Sequence, residues 1–130
     1  MKRSIPFNPD NRPATWDQIK HWRDVHEVAP VTTSFGPFDA DERSEARMKG
    51  SIERFDSLPT LDVDNKLTWK LADNTYLKVT KADLTSIYNE VQELRAVRGA
   101  LLHVKGEQFR SQPTPPTPNE LKNLTFWIGA

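Results

Sequence analysis

The stretch "KADLTSIYNEVQELRAVRGALLHVKGEQF" constrains this chain more than any other part of it. Leu84, Ile87, Tyr88, Val91, Leu94, Val97, Leu101 and Val104 hold the helical period for about six turns. Thr80 and Asp83 stand ahead of them in a capping-box pattern, in which each side chain satisfies an orphan N–H of the first turn. The spacing predicts one long helix, weakened at Gly99 and ended near Gly106.

Shorter elements precede it. Thr15 and Gln18 form another capping pattern before "WDQIKHWRDVHEV", whose Trp16, Ile19, Trp22 and Val25 share a helical face until Pro30 stops it. "VTTSF" is β-branched and bounded by Pro30 and Gly36-Pro37, which predicts a brief strand entering a turn. Asp39 and Glu42 cap a second helix carrying Met48, Ile52 and Phe55, ended by Pro59. Gly50 in it marks either a close backbone approach or a weaker helix. "NKLTWKLADNTYLKVT" alternates apolar and polar residues on either side of a turn at Ala72 to Asn74, which predicts a hairpin with one face buried.

The resulting expectation is an α+β fold, a small antiparallel sheet of the hairpin plus the short strand packed with three helices, the last one long. It places an N-terminal arm at 1–14, where three prolines mix with Asn8, Asp10 and Asn11, a domain at 15–110 and a tail at 111–130. With 130 residues, 36% of them hydrophobic and 28% charged, the chain supports one modest core. Eighteen basic residues balance eighteen acidic ones, and this argues against nucleic acid as a partner. Without cysteine there are no disulfides, thiolate nucleophiles or cysteine-held zinc. No window approaches the roughly 20 apolar residues of a membrane span, so synthesis and folding in a cytoplasm is the expectation.

Reaction chemistry finds little to work with. "LDVDNK" and "FDADER" lack the glycine and glutamate of a calcium loop and read as a polar turn and a helix cap. His21 and His26 are five apart, off the i, i+4 spacing of a zinc pair, and with His103 read as surface or interface side chains. There is no nucleophile elbow and no phosphate-cradling glycine loop. Acid pairs such as Glu42 with Glu45 read as solvated helix faces. The expectation is therefore no catalytic residues, no metal, no cofactor and no small-molecule substrate. A rival enzyme reading would assemble a site from His21, Asp17 and Glu27.

The aromatic residues divide. Trp16, Trp22 and Trp69 read as core. The end of the chain, "SQPTPPTPNELKNLTFWIGA", reads as a stiff polyproline spacer leading to Leu124, Phe126, Trp127 and Ile128. That cluster either folds back as a lid or inserts into another chain as an anchor. The spacer favours insertion, making these four the candidate protein-binding residues.

The runs "TWDQIKHWRDVHE" and "FDADERSEARM", with the Trp69 hairpin leading into the long helix, resemble a domain of unknown function common in tailed bacteriophages. The likeness covers about residues 15–110. Such domains typically occur in proteins encoded near tail fibres or called tail-fibre assembly chaperones. The resemblance implies a structural component of the virion tail, an adaptor in the baseplate or fibre-attachment region. Its alternative is a tail-fibre assembly chaperone that is not retained. Partners would be other tail or fibre proteins, or further copies of the chain, met in the host cytoplasm during assembly and then in the virion. The family offers no catalytic residues to carry over.

Overall fold

A computed structural model describes residues 12–129. The chain runs α1 (Trp16–Glu27), β1 (Val31–Thr33), β2 (Gly36–Phe38), α2 (Glu42–Glu53), a 3-10 turn (Phe55–Ser57), β3 (Leu67–Lys70), β4 (Tyr76–Val79), α3 (Lys81–Ser111), α4 (Pro118–Leu121) and α5 (Leu124–Ile128). The fold is α+β. Its strands form two separate two-stranded antiparallel sheets, β1 with β2 and β3 with β4, in place of the single sheet expected.

Two compact units divide the described residues: 12–27 with 98–129, and 28–97. Most of the expected arm, residues 1–11, lies outside the described residues. The segment expected as a free tail groups with α1. Each unit has its own apolar cluster, so the one core expected from composition is two.

In unit 28–97, the strand predicted at "VTTSF" turns straight back on itself. Thr33 faces Gly36 and Val31 faces Phe38, and the Thr33 hydroxyl donates to the Gly36 carbonyl at 3.0 Å while accepting the Phe35 N–H. Gly36 has φ +121°, and a β-carbon there would stand 3.3 Å from Leu71 Cδ1, so this corner requires glycine. Pro37 fits in β2 because this two-stranded ribbon leaves an outer edge where its missing N–H costs nothing. In the β3–β4 hairpin, Asn74 takes the left-handed angle expected of that turn, φ 68°, and Asp73 accepts the Thr75 N–H and hydroxyl.

α2 is capped two residues later than expected. Asp41, not Asp39, is its cap, accepting the Ser44 N–H at 2.7 Å. The helix also ends at Glu53, short of Pro59, by tightening into the 3-10 turn that buries Phe55. Phe38, Met48, Phe55, Val79, Leu84 and Ile87 form the centre of this core. At its rim, Glu45 of α2 accepts from both Arg95 and Gln92 of α3.

In the other unit, α1 carries its predicted capping box: the Thr15 N–H donates to Gln18 Oε1 and the Gln18 N–H to Thr15 Oγ1. Ile19 is buried beside Ala14, Leu102, Phe109, Leu121 and Trp127. Val25, expected on the buried face, is exposed. Trp16 and Trp22 are only half-buried, and the Arg110 guanidinium lies 4.5 Å from the Trp16 ring centroid. α3 forms as predicted from its Thr80–Asp83 capping box, but it passes through Gly106 and ends at Ser111.

Candidate protein-binding surface

The prolines expected to form an extended spacer instead start a helix. Thr117 caps α4 with a complete capping box to Glu120, and Pro118 takes the first helical position, where a missing N–H costs nothing. Pro116 and Pro118 are buried, and the Pro116 carbonyl accepts the Ala14 N–H at 2.7 Å. The short turn after α4 brings α5 back toward α1.

This return decides the fate of the four predicted site residues. Trp127 is 0% exposed. Its indole N–H donates to the Leu121 carbonyl at 2.9 Å, so the polar edge of the ring is satisfied inside the core. Phe109 meets the indole edge-on, with centroids 5.0 Å apart. Leu124 and Ile128 are partly buried against the same core, and Phe126, 38% exposed, stacks on Phe109 at 5.3 Å. The cluster thus folds back within its own unit, against the expectation of insertion elsewhere. Of the four, Phe126 offers the most accessible surface.

His26 belongs to this arrangement. It was expected as a surface or interface side chain; it is buried within its own unit, and its Nε2 lies 2.7 Å from the same Leu121 carbonyl. A carbonyl can only accept, so Nε2 carries the proton. Spacing on α1 could not reveal this, because the acceptor lies at the far end of the chain. His21 and His103 are exposed.

Among the described residues, no group of three histidines or carboxylates is placed to hold a metal ion. The carboxyls held below their ordinary range are those of Asp41, Asp62 and Asp73, and each closes a local turn or cap. The Ser44 N–H lowers Asp41, and the Lys66 N–H, then that of Asp64 and the Lys78 ammonium, lowers Asp62. The Thr75 hydroxyl and N–H lower Asp73. "LDVDNK" is thus the polar turn expected, with Asn65 at φ 57°.

The outward apolar surface lies on α3 itself. Leu94, Val97, Leu101 and Val104 are 37% to 54% exposed. They follow one another in steps of three, four and three, which keeps them on one side of a helix. The buried residues Leu84, Ile87, Val91, Leu102 and Phe109 follow a different line along α3. The sequence reading put Leu84, Ile87, Val91, Leu94, Val97, Leu101 and Val104 in one apolar set and passed over Leu102 and Phe109, and the division into an inward and an outward line emerges only once the rest of the chain is in place. Among the described residues no helix is long and apolar enough to cross a membrane.

No curated protein and no solved structure matches the chain. A family does, over residues 10–104, ending within α3 and short of Trp127. The chain therefore belongs to the family described as Domain of unknown function (DUF4376).

Proposed function

We propose that this chain is a structural component of a phage virion tail, an adaptor in the baseplate or tail-fibre attachment region that binds neighbouring tail proteins. The outward line Leu94, Val97, Leu101 and Val104 carries the reading. Apolar side chains at steps of three and four suit the face of another helix, and exposed apolar surface of this kind marks association. The phage setting rests on the resemblance of "TWDQIKHWRDVHE", "FDADERSEARM" and the Trp69 hairpin to domains encoded near tail fibres. The protein in this reading binds and does not catalyse.

Mass spectrometry of particles purified from the phage that encodes the chain is the test. The adaptor reading expects it at a fixed ratio to the other tail proteins. Its absence from mature particles, with presence in infected-cell extracts bound to fibre protein, would overturn that reading in favour of an assembly chaperone.

A further inference from the structure

A second binding feature lies wholly within unit 28–97. β3 pairs with β4 on one side. Among the described residues no backbone or side-chain group hydrogen-bonds along its other side from Leu67 to Lys70; past its end the Ala72 N–H donates to the Pro37 carbonyl of β2 at 3.0 Å. A cleft of about 300 Å³ lies there, lined by Arg47 and Ser51 of α2, Leu58, Thr60 and the whole of β3 from Leu67 to Lys70. Successive residues of a strand point to opposite faces, so a cleft touching four in a row sees the strand along its edge. Unpaired N–H and C=O groups on such an edge are a template for another strand.

The lining has a sign. It holds two cations, Arg47 and Lys70, and no carboxylate. Among the described residues neither cation has a carboxylate within ion-pair distance. Arg47 acts on the Asp41 carboxyl only from farther away. Ser51, Thr60 and Thr68 bring hydroxyls, while Trp69 and Leu58 supply apolar surface.

We propose that this edge takes an extended acidic segment of a partner protein as a third strand beside β3. Backbone groups of the segment pair with the open side of β3, its carboxylates meet Arg47 and Lys70, and an intervening apolar side chain covers Trp69. The charge of the lining selects the occupant, and the inference stands independently of the virion assignment.

The test is titration of the isotope-labelled full chain with a blocked nine-residue peptide of alternating valine and glutamate, followed by amide NMR. The expected result is saturable shifts centred on Leu67 to Lys70, with slowed exchange at the outward amides of β3. The double variant Arg47→Gln, Lys70→Gln should weaken binding at least tenfold while its melting temperature stays unchanged. A peptide with lysine for glutamate, or with a central proline, should not bind. Absence of shifts at millimolar peptide overturns the proposal, as do shifts centred elsewhere, undiminished binding by the double variant or by the proline peptide, or equal displacement by inorganic phosphate.

Discussion

The Trp127 ring lies so close to Gly106 that a β-carbon at that position would stand 3.6 Å from the indole Cζ3. That is ordinary contact distance, with room for a methyl group and little more, since Arg23 Cδ lies 3.7 Å from the same point. Gly106→Ala is expected to raise stability by about 0.5–1 kcal/mol through helix propensity. Gly106→Leu should lower it by about 1–3 kcal/mol by overpacking against the indole. Gly50→Ala in α2 meets nothing within 4 Å and should gain about as much as Gly106→Ala. Urea midpoints of the three variants measure this.

Trp127 and Phe126 separate structure from contact. Trp127→Ala empties a fully buried site and should cost about 3–5 kcal/mol. Phe126→Ala removes a half-exposed ring stacked on Phe109 and should cost about 1 kcal/mol. Truncation after Arg110 takes Leu121 and Trp127 out of their core together. The truncated chain should lose protection in α1, as read by hydrogen exchange, rather than simply lose a docking tail.

Acid should weaken unit 28–97 through its caps. The Asp41 carboxyl sits below its ordinary 3.8 because the Ser44 N–H favours the carboxylate, so the unfolded chain takes up that proton first. Asp62 and Asp73 share this sign. Their stabilisation is complete well above 3.8 and is lost as pH falls below it through the folded values. Asp41→Asn keeps a cap but removes the titration, so its stability should fall less steeply between neutral pH and about pH 3. Asp41→Ala should cost about 1 kcal/mol already at neutral pH. Denaturant midpoints across that range decide the matter.

The outward line on α3 can be altered without touching either core. Leu94→Gln with Leu101→Gln should change stability by less than about 0.5 kcal/mol per site. Under the adaptor proposal, the same pair should abolish co-purification with tail proteins from infected cells. Retained co-purification with unchanged folding would show that the partner sits elsewhere.

Most local signals were legible in the sequence and distant ones were not, although the α2 cap read at Asp39 falls at Asp41 and the Thr117–Glu120 capping box went unread. The caps Thr15 with Gln18 and Thr80 with Asp83, and the left-handed Asn74, depend on neighbours within a turn, and they formed as read. The placement of Trp127 depends on Ile19, Leu102 and Phe109, and that of His26 on the Leu121 carbonyl. No pattern within either segment encodes those meetings. β2 was missed because Gly36 and Pro37 are turn residues by every local criterion, and only pairing with β1 makes them a strand. The prolines misled in the opposite sense: Pro118 pre-shapes a first helical turn as readily as it stiffens a spacer.

The hydrogen bond from His26 to Leu121 closes a loop across 95 positions. Unit 28–97 draws its contacts from one continuous stretch and can condense as soon as that stretch exists. α1 is made before unit 28–97 and finds its partners only after all of 28–97 and much of 98–129 have been added. Ordering so remote a pair means closing a long loop, which is slow. During that interval the apolar side of α1, with Ile19, Trp16 and Trp22, faces water without cover. The nascent chain therefore has a window of vulnerability at α1, and a slow folding phase reported by α1 is its expected signature.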